Sequence, residues 1–182
     1  MSDRLAVRID PIKLANSGDR LTGWVPITQM PRLCDLLTNS EGRVEATIQF
    51  GQIDQGTRFI TGEAEAVVSV VCQRCLEEMT FNLRAEFSLG LVETESEAQT
   101  LPEEFEPKLI GDEMLEIAEM LEDELILAMP IISMHDEADC RCEALKYCAP
   151  ADIKPETIAD SNTRRPMAGL KALLDKKTGD DN

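Results

Sequence analysis

The chain has 182 residues, 43% of them hydrophobic, with six cysteines and a formal net charge of −17. That length can bury a core without disulfides or metals, and no run approaches the roughly 18 consecutive apolar residues of a membrane-spanning helix. The acid is concentrated: residues 1–71 carry seven Lys/Arg and nine Asp/Glu, residues 72–160 six and 23, and residues 161–182 five and three. Such a body repels a phosphate backbone, which argues against broad direct RNA binding and for a basic protein partner. The opening MSDRLAVRID has no apolar signal-peptide core, so the expected location is the cytoplasm, with reduced cysteines that are structural, metal-binding or redox-active.

In chain order, Leu5 to Leu21 reads as irregular, broken by Pro11 and the Asn16-Ser17-Gly18-Asp19 turn signal, before a short extended segment around Gly23 to Ile27. Pro31 opens a short helix with Met30, Leu33, Cys34 and Leu37 on one face, which places Cys34 in the core. From Arg43 the period changes to two, with Val44, Ala46, Ile48 and Phe50 on one side. After an Asp54-Gln55-Gly56 turn, Thr57 to Val71 and Thr80 to Val92 supply two further β segments, and the three predict an antiparallel meander. Residues 93–108, with six glutamates and two prolines, read as an exposed acidic loop. Asp112 is the expected N-cap of a helix from about Glu113 to Met129, its buried stripe formed by Met114, Ile117, Ala118, Leu121, Leu125 and Ala128, and Pro130 ends it. An extended piece from Pro130 to Met134 follows, and Pro166 to Lys177 could form a last short helix. The expectation is an α+β fold: one domain over 1–160, an antiparallel sheet packed on one main amphipathic helix, and a basic tail over 161–182 that could dock.

Cys72-Gln73-Arg74-Cys75 lies between two strand-like runs, unlike a redox pair that opens a helix. A hairpin tip of this kind suits half of a zinc site, because two intervening residues let both sulfurs face one tetrahedral ion. His135 and Cys140, spaced HxxxxC, are the candidate completing ligands, with Cys142 and Cys148 in reserve. Buried structural thiols and a reversible disulfide are the competing readings. On the predicted helix, Glu124 interrupts an apolar face and calls for a partner or a raised pKa, whereas Glu116, Glu119 and Asp123 fall on a solvated side. With one histidine, no GxSxG and no phosphate-binding glycine loop, the sequence has no evident catalytic constellation.

Three blocks together resemble the YceD family of large ribosomal RNA subunit accumulation proteins: VVSVVCQRCLEEMTF at 67–81, LPEEFEP followed by EIAEMLEDELILAMPIISMHDEADC within 101–140, and RRPMAGLKALL at 164–174. The resemblance implies a non-enzymatic role in synthesis, processing or stability of 23S ribosomal RNA, acting through ribosome-assembly or RNA-processing proteins or a ribonucleoprotein precursor. It singles out Cys72, Arg74, Cys75, Glu122, Asp123, Glu124, Pro130, His135 and Cys140, with Arg164 and Arg165 in the tail block. Met167 departs from the Phe more usual in the family, and Cys142 and Cys148 lie outside its pattern. The alternatives are a metal-dependent ribonuclease acting on rRNA precursors and a thiol redox switch.

Overall fold

In the computed structural model the described residues are 3–53, 56–111, 114–136 and 140. They begin with two short strands, β1 (Asp3–Arg4) and β2 (Arg8–Ile9), and then a helix, α1 (Pro11–Ser17), where irregular chain is expected from the sequence. Pro11 starts this helix instead of breaking it. At the first helical position its missing N–H costs nothing, the Asp10 carboxylate accepts from the Lys13 amide at 3.0 Å, and Gly18 closes the helix in the left-handed region at φ 71.

The meander follows as β3 (Arg20–Pro26), β4 (Arg43–Gln52), β5 (Arg58–Val71) and β6 (Glu78–Val92), each antiparallel to the next. Between β3 and β4, the short helix α2 (Pro31–Cys34) buries Met30 and Leu33, while Cys34 is half-buried and its thiol lies 3.3 Å from the Ile27 carbonyl oxygen. Alternation sets the sheet's inner face: Val44 opposes Ala66, Ala46 opposes Ala64 and Phe50 opposes Ile60, all buried. Complete burial of Val44, Phe50 and Ile60 contributes about 1.5–3 kcal/mol each. Gly62 does not interrupt β5. A Cβ there would come within 2.5 Å of the Thr47 carbonyl oxygen and 2.7 Å of the Phe87 ring, so glycine lets the ring lie across the strand.

The acidic stretch is more ordered than its composition predicts. Thr94 caps α3 (Glu95–Ala98) by accepting from the Glu97 amide, and the Glu97 carboxylate accepts from the Glu93 amide at 2.8 Å. β7 (Glu106–Leu109) then adds to the edge of the sheet parallel to β6, as β1 does to β3 at the other edge. The main helix, α4 (Ile117–Ala128), starts later than expected because β8 (Leu115–Glu116) pairs with β2. Met114 is consequently exposed, and Met120 and Glu122 join Ile117, Ala118, Leu121 and Leu125 in the buried set. α4 packs on β6 and α2, and its chain turns extended at Met129, before Pro130. Pro130 to Met134 pairs with no strand among the described residues; its Ile131 and Ser133 carbonyls accept from Gln73 at the hairpin tip.

Asp54, Gln55, Asp112 and the whole tail lie outside the described residues, as do the caps and helix expected there. Among the described residues no helix is long and apolar enough to cross a membrane.

Candidate metal centre

The hairpin joining β5 to β6 closes through two backbone bonds, Cys72 N–H to the Glu77 carbonyl at 2.9 Å and Leu76 N–H to the Cys72 carbonyl at 2.8 Å. Leu76 takes a left-handed conformation at φ 63, which turns the chain sharply enough for Cys72 and Cys75 to share a side. The loop after α4 is laid against this tip. Gln73 N–H donates to the Ser133 carbonyl at 2.8 Å, His135 N–H lies 3.5 Å from Cys72 Sγ, and His135 Nδ1 lies 3.3 Å from Cys75 Sγ. Cys140 N–H donates to the Asp136 carbonyl at 3.1 Å, which folds its thiol back toward the same point.

One donor atom from each of Cys72, Cys75, His135 and Cys140 falls within 4.8 Å of all the others. A tetrahedral zinc ion places such donors roughly 3.5–3.8 Å apart, so the tetrad fits with small adjustment. All four cysteines among the described residues are free thiols. Burial opposes ionisation of Cys72, yet the amides of Cys75, His135 and Arg74 bring its pKa down to about 5. For Cys75 the Glu77 amide favours the thiolate, but burial and the sulfurs of Cys72 and Cys140 outweigh it and push the thiol up to about 11. The sulfurs thus crowd protons and charge that a bound cation would replace.

Arg74 braces the cluster from the side. Its Nε donates to Cys140 Sγ at 3.0 Å and its terminal nitrogen to the His135 carbonyl at 2.8 Å. Three thiolates around a divalent ion carry a net charge of about −1, which the adjacent guanidinium offsets.

The helix carboxylates divide differently from the helical-wheel expectation. Glu122, 3% exposed, is the buried one: it accepts from the Leu33 amide at 3.0 Å and from Arg32 Nε at 2.9 Å, tying α4 to α2. Asp123 is not on a free solvated side; Arg32 lies at 2.8 Å and Lys108 at 3.1 Å. Burial would raise its carboxyl, but Lys108 and Arg32 hold it below its ordinary value. Glu124 is half-buried with no salt-bridge cation among the described residues, and burial together with Glu106 raises its pKa. It lines a groove of about 770 Å³ with Glu63, Glu86, Glu103, Glu104 and Glu106. The wheel missed Glu122 because only the packing of α2 supplies the donors that make burial of that carboxylate tolerable.

A family model described as large ribosomal RNA subunit accumulation protein YceD matches residues 60–174. This chain belongs to the YceD family. A Haemophilus influenzae relative described as large ribosomal RNA subunit accumulation protein YceD is 30% identical over 170 residues, 92% of this chain and 97% of its own length. No solved structure matches. The family span includes the whole thiol–imidazole tetrad, Arg74 and Glu122, Asp123 and Glu124 of α4, whereas Arg32, which neutralises the first two of those carboxylates, precedes it. Arg164 and Arg165 fall inside the span but outside the described residues, as do Cys142 and Cys148.

Proposed function

We propose that this protein supports accumulation of large-subunit ribosomal RNA as a non-enzymatic cytoplasmic factor, acting on the synthesis, processing or stability of 23S RNA through a protein or ribonucleoprotein partner. The observation that carries the reading is family membership, with near full-length similarity to a relative named for that role. The charge of −17 favours action through a basic protein over a broad grip on RNA phosphates. The domain is read as 1–160, with 161–182 as a docking tail that includes Arg164 and Arg165.

We further propose one structural zinc held by Cys72, Cys75, His135 and Cys140. Three soft thiolates and one imidazole are a donor set suited to zinc, and four protein ligands close the coordination shell, leaving no open position for a substrate. The ion would supply a fixed link between the hairpin tip and the loop after α4. A ribonuclease reading is less well supported, since Glu122 and Asp123 are already engaged by Arg32, Lys108 and the Leu33 amide. A redox switch at Cys72 and Cys75 would compete with the metal for the same sulfurs.

The test has two arms. A strain lacking the protein should show a lowered ratio of 23S to 16S RNA, restored by the wild-type chain; a normal ratio across growth conditions defeats the rRNA reading. Protein purified without chelators should contain about one zinc per chain, lost on Cys75→Ser. Metal-free protein with a reversible Cys72–Cys75 disulfide would favour the redox switch.

A further inference from the structure

Of the eleven large hydrophobic side chains that stand exposed among the described residues, five are carried by the hairpin tip, the last turn of α4 and the segment after it: Leu76, Leu127, Ile131, Ile132 and Met134. Ile131 is 95% exposed and Leu76 75%. Single exposed aliphatics are ordinary, but several presented together by adjoining segments mark an interaction surface. Leu76 carries a second penalty, because its φ of 63 is comfortable for glycine and unfavourable for a residue with a Cβ. A bulky side chain in that position gains nothing from the chain's own core.

Hydrogen bonds hold the tip and the loop after α4 against one another. Gln73 N–H donates to the Ser133 carbonyl at 2.8 Å, Gln73 Nε2 to the Ile131 carbonyl at 3.4 Å, and the His135 ring abuts Cys75 Sγ. These bonds fix the backbone that carries the apolar side chains, so a partner need not order it, which favours binding. Its charge selects the partner. The formally charged residues of 71–78 and 127–136 are Arg74, Glu77, Glu78 and Asp136. Arg74 is turned onto Cys140 Sγ and the His135 carbonyl, and the Glu78 carboxylate accepts from Thr38 and Asn39, so the exposed charge these segments leave open is that of Glu77 and Asp136, which is acidic.

We propose that Leu76, Leu127, Ile131, Ile132 and Met134 form the docking surface for a basic protein segment, one that inserts apolar side chains between flanking Lys and Arg. The proposal rests on the partner-mediated reading above and gives that partner a place and a chemistry. It also gives the zinc tetrad a purpose, since the tetrad fixes tip against loop.

The experiment places a photoreactive phenylalanine analogue at Ile132 of the full-length chain in growing cells and identifies the adducts by mass spectrometry. One predominant adduct with a protein of net positive charge is expected. That purified protein should bind the wild-type chain with an affinity that falls as salt rises, and Leu76→Gly or Ile131→Ser should weaken it about tenfold. Leu76→Gly suits the backbone, so it should keep the zinc content and thermal midpoint; Ile131→Ser alters an already solvated side chain. Adducts only with RNA, only with a second copy of this chain, or with no macromolecule would overturn the proposal, as would unchanged affinity in both variants. The crosslink reads the surface independently of the 23S:16S ratio, so a normal ratio in the deletion strain would defeat the rRNA reading while leaving the docking result standing.

Discussion

Two polar clusters lie within the same fold and solve opposite problems. Around Glu122, two carboxylates meet their own cations and a backbone donor, so the charges that bind α4 to α2 are satisfied within the chain. Around Cys72, three thiols and an imidazole converge with one guanidinium beside them, a set whose negative charge exceeds what Arg74 alone neutralises once the thiols ionise. The first cluster is complete as a piece of architecture. On the proposed zinc reading the second is completed by a cation, and this difference would separate a structural lock from a ligand site.

The sharpest way to break the comparison is to remove the proposed zinc. Chelation should lower stability by about 4 kcal/mol if free zinc stands near a thousandfold above its dissociation constant, read as a drop in the thermal midpoint with and without chelator. No change would return the thiols to a purely structural role. Glu122→Ala comes next: it leaves the Leu33 amide without its acceptor and Arg32 without one of its two carboxylates. Because Arg32 is half-exposed, the expected cost is about 2 kcal/mol in urea unfolding, below that of a fully buried pair. Glu124→Ala should stay within about 0.5 kcal/mol under the same conditions.

Arg74→Met tests whether the guanidinium belongs to the metal cluster. It should loosen zinc by roughly 10–100-fold in chelator competition, with Arg74→Lys recovering part of the loss. Equal affinities would reduce Arg74 to a brace of the loop. The smallest effects are in pH dependence, where the two neighbouring carboxylates should act with opposite sign. Asp123, held below its ordinary value of 3.8, contributes stability that is present above that value and lost as pH falls through its folded-state pKa. Glu124, raised above its ordinary value of 4.5, contributes stability below that value that is lost as pH rises through its folded-state pKa. Urea midpoints of Asp123→Asn and Glu124→Gln against wild type, followed from pH 3 to 7, should therefore diverge from it in opposite directions.

Some of this architecture is legible in local pattern. Period-two alternation predicts β4 and β6, because one face of each must be buried whatever lies above it. The CxxC between strand runs and the HxxxxC beyond the main helix name the four side chains that converge, because ligand chemistry singles out particular residue types. Two missed helices also left signals: Asp10-Pro11 with Gly18 is a start and stop, and Thr94-x-x-Glu97 is a capping box masked by the acidity of its surroundings.

What the sequence by itself determined about this protein is therefore what depends on spacing and side-chain chemistry: the meander, the main helix, the identity of the converging thiols and imidazole, and the family. Tertiary structure alone decided which helix carboxylate is buried, since Glu122 is tolerable inside only because α2 brings the Leu33 amide and Arg32 to it. It also decided where α4 begins, through the pairing of β8 with β2, and that the hairpin tip is hydrogen-bonded to the loop after Pro130. These outcomes depend on residues far apart in the chain, and no local period records which distant donor will satisfy a buried group.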